Sequence, residues 1–281
     1  MKIKRAIVST DSNPLYCEFW PLVAKAWKNI DIDPVVVGLD VDLNPDLGTV
    51  IKLSSIDGIP NSFVTQVVRL IAPCFFPDEV CIIGDIDMIP LSRSYFNNHI
   101  SHYSDDTILI FSSDAYKQNI PRYPMCYIAA KGQYFKKIIG LSDTNITTIQ
   151  TFIKKLYELN LQWDTDELFF AKQLHSSRLL NRAIFLKRGW KNNIANNRID
   201  RVNWYINTLN LSMGRYIDAH CVRPLSQNLD NLRPLIDYIE AGSINHTKRS
   251  KKNILERFTK VIEAINSYLR ATFNLQNDHV K

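Results

Sequence analysis

The sequence predicts an α/β fold built on a mostly parallel sheet. Short apolar runs of strand length recur from Arg5 onward, and segments with helical spacing lie between them; this alternation is the pattern of βαβ units. The run from Glu79 to Gly84 is continuously apolar after its first residue, as in a strand covered on both faces. With 281 residues, 46% of them hydrophobic, the chain can bury a large core as one sizeable domain or one domain plus an appendage.

Taken in order, Arg5 to Ser9 reads as a first buried strand. Pro14 to Asn29 reads as a helix with a proline near its start. Pro34 to Leu39 and Thr49 to Leu53 read as the second and third strands. In NSFVTQVVRLIAP, Val64, Val67, Val68 and Ile71 fall on one helical face. Asn61 or Ser62 can cap that helix, and Pro73 ends it. After the strand from Glu79 to Gly84, TILIFS and MCYIAA read as two more strands, and helices fill much of Thr147 to Leu159 and Thr165 to Leu174. AIFLK and RYID read as late strands. From about Ser226 the character changes. TKRSKK, Thr247 to Lys252, is a basic run, and Ile254, Phe258, Val261, Ile262, Ile265, Leu269 and Phe273 then form a helical stripe. The expected division is a main domain over 1–225 and a helical appendage over 226–281.

The formal net charge of +6 is a mild bias that selects no partner. The five cysteines, Cys17, Cys74, Cys81, Cys126 and Cys221, include no CxxC pair, which argues against a zinc site or a disulfide framework. The opening apolar stretch is too short for a signal peptide, and no run approaches the ~18 apolar residues of a membrane span. A cytoplasmic setting is expected.

The chemistry concentrates in CIIGDIDMIPL, Cys81 to Leu91, where Asp85 and Asp87 follow an apolar strand. Two carboxylates in one small volume repel, and a divalent cation relieves this. Mg²⁺ or Mn²⁺ takes oxygen ligands and is held by carboxylates together with substrate phosphates. Asp31 with Asp33, and Asp40 with Asp42, repeat the spacing, but they flank turns and read as solvated loop charges. A second acidic cluster occurs in QWDTDELFF. Asp164 can cap a helix, with Glu167 as its capping-box partner; Asp166 gains only from the helix dipole. Trp163 can stack on a sugar ring or fill the core.

The run VTQVVRLIAPCFFPDEVCIIGDIDMIPL resembles the core of GT-A glycosyltransferases, and most of all the glycogenin and galactosyltransferase type, family 8. The turn STDSNPLY resembles the nucleotide-binding turn of those enzymes. DAHCVRPL resembles their late His-x-x-x-(basic)-Pro element, although it is shorter and lacks the usual Gly and closing Trp. The resemblance covers residues 5 to 225 and makes them the catalytic domain. It implies a sugar transfer from a nucleoside-diphosphate sugar, UDP-sugar first, to a sugar or glycan acceptor, with Mn²⁺ or Mg²⁺ as cofactor and retention as the stereochemical leaning. No nucleic-acid partner is expected.

Carried over by position, the resemblance gives Asp85 to ribose and metal, and Asp87 and His220 to metal. It gives Thr10, Asp11 and Asn13 to the nucleotide, Tyr16 to the region of the base, Arg69 to nucleotide or sugar, and Arg223 to the diphosphate. Asp166 is the first candidate for the acidic residue below the sugar, and Glu167 the second. Each has a plainer reading beside it. Arg69 can serve only as an ion-pair partner, Asp11 can form an Asx-turn, and Tyr16 and His220 can be core residues. In GWKNNIANNRIDRVNWY an acceptor-side lid, with Arg188, Lys191 and Arg198 on its surface, and a solvated charged loop are both open, the loop being favoured.

Two rival functions stand against this. Haloacid-dehalogenase phosphohydrolases also use Asp-x-Asp after an apolar strand, but near the chain start and with a different following turn. An inactive relative that binds a glycan or a partner is the other. The basic run and apolar stripe over 247–273 can dock on an anionic membrane surface, but a helix that covers its own domain or makes a dimer contact is the favoured reading.

Overall fold

The computed structural model of the chain describes residues 1–116, 122–187 and 197–242. The basic run and the apolar stripe of 247–273 lie outside the described residues, as do Arg188, Trp190 and Lys191. The chain divides into two units, Met1–Ile239 and Glu240–Lys281. The following concerns the first.

The elements run in chain order as β1 (Arg5–Thr10), α1 (Pro14–Cys17), α2 (Trp20–Asn29), β2 (Asp33–Leu39), β3 (Thr49–Leu53), α3 (Asn61–Ile71), β4 (Val80–Ile83), β5 (Met88–Pro90), β6 (Ile108–Phe111), β7 (Ile128–Lys131), α4 (Gly132–Ile139), α5 (Ile146–Glu158), α6 (Thr165–Ser176), β8 (Ala183–Leu186), β9 (Arg198–Asp200), α7 (Thr208–Ser212) and β10 (Asp218–His220). A last helix, α8, begins at 229 and runs to the end of this unit at 239.

Seven strands form one sheet in the order β3-β2-β1-β4-β7-β6-β8. All pairings are parallel except the two made by β7. Successive strand residues face opposite ways, so the sheet feeds two cores. Ala6, Val8, Ile82 and Leu109 face a cluster that includes Trp20 and Trp27 of α2 and Leu232 and Leu235 of α8. Ile7, Val35, Cys81 and Ile108 face the other, with Val64 and Val67 of α3, Phe135 of α4, Ile149 of α5 and Phe170 of α6. Both faces are covered, which is why the strands read as continuous apolar runs.

Several expectations need correction. The segment from Pro14 to Asn29 is two helices, because Pro21 has no N–H to donate and its ring clashes with a preceding turn; it sits in the first turn of α2 instead. Neither Asn61 nor Ser62 caps α3, whose N-cap position is Pro60. The strand expected at RYID begins only at Asp218. Helix α4 and strands β5 and β9 were not anticipated; the strands are three residues long, too short for any periodicity to register.

Two features position the site. Strands β1 and β4 are parallel neighbours, with Ile7 paired to Ile83, so their carboxyl ends open on the same edge. In sheets of this kind that edge is where ligands bind. A second sheet, β5-β10-β9, pairs His220 with Met88 and with Asp200. It joins the segment after Asp87 to two stretches more than a hundred residues away.

Candidate active site

A cavity of about 320 Å³ opens at that edge. Every residue carried over from the resemblance lines it: Thr10, Asp11, Asn13 and Tyr16 from the turn after β1, Arg69 from α3, Asp85 and Asp87 after β4, Asp166 and Glu167 from the start of α6, and His220 and Arg223 from and after β10. Gln66, Tyr116, Arg122 and Arg201 join them; none was singled out in the sequence.

The opening turn is shaped by its own side chains. Asp11 Oδ1 accepts from the Asn13 amide at 3.0 Å, and Asn13 Oδ1 accepts from the Leu15 amide, capping α1. The Asx-turn at Asp11 is thus real, and it leaves Asp11 on the cavity wall. Tyr16 supports the guanidinium of Arg223, whose centre lies 4.6 Å from the ring centroid, within range of a cation–π contact.

Arg69 joins the two acidic clusters. It donates through Nε at 3.0 Å and Nη2 at 2.5 Å to Asp166 Oδ2, and through Nη1 to Asp85 Oδ1. Asp166 Oδ1 accepts from Gln66 Nε2 at 3.0 Å and from the Glu167 amide at 2.9 Å. Its side chain is fully buried, with four donors on two oxygens. Burial pushes the Asp85 carboxyl up, and the charge and hydrogen bond of Arg69 more than offset this, so it lies below the usual carboxylate range. At Asp166 burial prevails over Arg69, and the negative charge of Asp85 adds to it, so that carboxyl lies above its ordinary value. The Arg69 guanidinium is held charged by both.

The capping box expected at Asp164 and Glu167 does not form. Asp164 makes no side-chain cap bond to α6. A guanidinium outcompetes the helix amides for both carboxylates: Arg122 reaches Asp164 Oδ2 at 2.9 Å and Glu167 Oε2 at 2.5 Å. Tyr116 donates to Glu167 Oε1 at 2.8 Å, and Arg122 stacks on its ring at 4.0 Å. Burial still leaves the Glu167 carboxyl above its ordinary value.

At the far side three nitrogens face one carboxylate oxygen. Asp87 Oδ2 lies 3.1 Å from Arg201 Nη1, 3.4 Å from Arg223 Nε and 3.6 Å from His220 Nε2. Arg201 begins the turn directly after β9, and the β9–β10 pairing delivers it. Arg198, expected on a loop surface, is instead on β9 and pairs twice with the buried Asp218, at 2.8 and 2.7 Å. Its charge is spent inside the fold.

The donor chemistry of Asp85, Asp87 and His220, two carboxylates and an imidazole, suits Mn²⁺. Six carboxylates line the cavity against four arginines, an excess that one divalent cation balances. Among the described residues no three His, Cys, Asp or Glu side chains are gathered closely enough to hold an ion as they stand; Arg69 holds Asp85, and Arg201 and Arg223 face Asp87.

No family model and no curated protein sequence matches the chain. Among solved structures it is similar to the glycosyltransferase GlyE of Streptococcus pneumoniae TIGR4, at 10% identity with a TM-score of 0.41, over 68% of this chain and 47% of that one. It is similar to the galactosyltransferase LgtC, solved with donor and acceptor sugar analogues, at 11% identity and 0.48, over 84% and 95%. It is also similar to a glycosyltransferase involved in glycosylation of the major capsid of PBCV-1, at 8% and 0.39, over 81% and 98%. The chain spans about half the length of the GlyE structures.

Proposed function

We propose that the protein is a metal-dependent glycosyltransferase that moves a sugar from a nucleoside-diphosphate sugar, UDP-sugar first, to a hydroxyl of a sugar or glycan acceptor. One observation carries this reading: a single cavity at the carboxyl edge of a mostly parallel sheet collects the opening turn, the paired aspartates, His220, and a buried acid bridged to Asp85 by Arg69.

In this reading Thr10, Asp11 and Asn13 receive the nucleoside, with Asp85 toward the ribose. Arg201 and Arg223 grip the diphosphate, where a planar guanidinium matches phosphate oxygens in pairs. Tyr16 keeps Arg223 in place. Asp85, Asp87 and His220 would hold Mn²⁺ or Mg²⁺, which would supply Lewis-acid neutralisation of the charge on the departing diphosphate. For that role Asp85 would give up its ion pair with Arg69, which would keep Asp166.

Asp166 already accepts four hydrogen bonds in full burial, so it is poorly placed to take a proton from an acceptor hydroxyl. In this reading its charge, paired with Arg69, would instead act on the sugar from within the cavity wall. That favours an orienting and electrostatic role, and with it retention of configuration.

Thermal denaturation of the full chain against a panel of nucleotide sugars, with and without MnCl₂, tests the reading. A ligand that binds only the folded state raises Tm, and the expected shift needs nucleotide sugar and metal together. Hydrolysis of a simple phosphate monoester without any nucleotide-sugar shift would instead establish the phosphohydrolase rival, and binding of neither would leave an inactive relative. For 247–273 a helix that packs on its own domain is the first reading and a peripheral membrane contact the second. Among the described residues no helix is long and apolar enough to cross a membrane.

A further inference from the structure

Next to the cavity lies a second hollow of about 190 Å³, and the two share Ser62, Gln66 and Trp163. Its character is opposite. The cavity is walled by acids and arginines, whereas the hollow has no charged residue in its lining. Its floor is aromatic and aliphatic. Phe63 and Tyr157 meet edge to face at 5.0 Å, and Leu161 and Trp163 complete the surface. Trp163 is 66% exposed, Tyr157 41% and Leu161 37%. Large apolar side chains held out in one contiguous patch mark an interaction site more often than a packing accident.

The backbone there is unusual as well. Asn160 and Gln162, which alternate with Leu161 and Trp163, both have positive φ, 51° and 57°. Asparagine adopts this region readily, but glutamine does so at a cost of order 1 kcal/mol. That conformation persists although it leaves Leu161 and Trp163 facing water. The turn's carbonyls are used within the chain, Gln162 O accepting from Thr165 Oγ1 and Trp163 O from Gln66 Nε2, but the exposure of Leu161 and Trp163 is not; a ligand resting on those groups gives it a use.

We propose that this hollow is a binding subsite for a neutral carbohydrate, the part of the acceptor next to the sugar that reacts. The proposal rests on the glycosyltransferase reading of the adjoining cavity. A pyranose presents apolar C–H faces and a rim of hydroxyls. The hollow presents aromatic faces, with the amides of Asn160 and Gln162 and the hydroxyls of Ser62 and Thr165 along its lining. The lack of charge disfavours a second nucleotide or a phosphorylated ligand, which would forfeit its hydration without a counter-ion. Continuity through Trp163, which lines both hollows, places the bound sugar beside the cavity wall that carries Asp164, Asp166 and Glu167. The acceptor is therefore at least a disaccharide.

The test is calorimetric titration of the full chain with maltose, lactose, cellobiose and diacetylchitobiose, alongside inorganic pyrophosphate with Mn²⁺. At least one disaccharide is expected to bind. Tyr157→Ala and Leu161→Ala, which alter the hollow alone, are each expected to weaken it about fivefold, close to ~1 kcal/mol, with pyrophosphate affinity unchanged. Pyrophosphate binding with no disaccharide bound, or disaccharide affinity equal in variants and wild type, overturns the proposal. So does binding of n-hexanol in place of every sugar, which would assign the hollow to an apolar partner. Disaccharide binding that is lost in the variants, with no pyrophosphate or nucleotide sugar bound, sustains the subsite and overturns the reading of the cavity instead.

Discussion

Arg201 Nη1 lies 3.1 Å from Asp87 Oδ2, across 114 residues of sequence. The contact gives an acid of the Asp-x-Asp pair a resident counter-charge; in the proposed reading a cation would take that place and leave the guanidinium to a diphosphate. Arg201→Ala should weaken pyrophosphate binding in the presence of Mn²⁺ by roughly 10–100-fold, the equivalent of a charged hydrogen bond of about 1.5–3 kcal/mol. Calorimetry reads this directly. Orthophosphate, which spans less of the site, should be less affected; equal loss for both would mean that Arg201 acts only through the general field.

Asp166→Asn keeps the shape and the hydrogen-bond acceptor at Oδ1 but removes the charge. Turnover should fall roughly 10²–10³-fold, the range for removing one preorganised electrostatic contact to the transition state, while nucleotide-sugar affinity stays within a few fold. Comparing kcat with donor Kd separates the outcomes. A matched loss in both would place Asp166 in ground-state binding.

The pH dependence follows from Arg69. Asp85 is held below its ordinary value, so its ionised form supports the fold above the unfolded value near ~3.9 and fades as pH falls through the depressed one. Asp166 is raised, so its contribution is present at low pH and fades as pH rises through the elevated value. Arg69→Gln removes the cation that both share, and both carboxyls should then titrate higher. The acidic limb of Mn²⁺-dependent pyrophosphate binding, followed from about pH 4 to 8, should move upward in Arg69→Gln and stay in place in Arg69→Lys. No movement in Arg69→Gln would remove Arg69 from the electrostatics of the site.

Gly132, at the β7–α4 junction, is a structural control. A Cβ built there would stand 2.0 Å from the Pro73 carbonyl oxygen and 2.4 Å from that of Phe76. Gly132→Ala should shift backbone and destabilise the fold by about 1–3 kcal/mol as overpacking does, read as a lower urea midpoint. Its donor-site contacts should otherwise be unaffected in the folded fraction.

Much of the fold was legible because its signals are local. β2 and β4 are apolar on both faces, and α3 carries Val64, Val67, Val68 and Ile71 on one stripe, so each element declared itself within a dozen residues. Asp85 and Asp87 stood out for the same reason, being charges set at the end of an apolar strand. Arg201 and Arg122 did not. Each sits in a polar stretch where an arginine is ordinary, and only the pairing of β9 with β10, or the proximity of α6, gives it a partner. The misread capping box at Asp164 and Glu167 has the same origin: the local rule was satisfied in sequence, and a guanidinium 42 or 45 residues away took both carboxylates.

The three-stranded sheet acts as a jig. His220 is clamped opposite Met88 on one side and Asp200 on the other, so the hardware around Asp87 is indexed by backbone rather than by the connecting segment. Exposed positions between Asn203 and Tyr216, Tyr205, Leu209 and Met213 among them, can then be exchanged while Leu211 stays in the core and the ladder keeps its register. That makes these positions a natural port for grafting foreign recognition residues onto an unchanged frame.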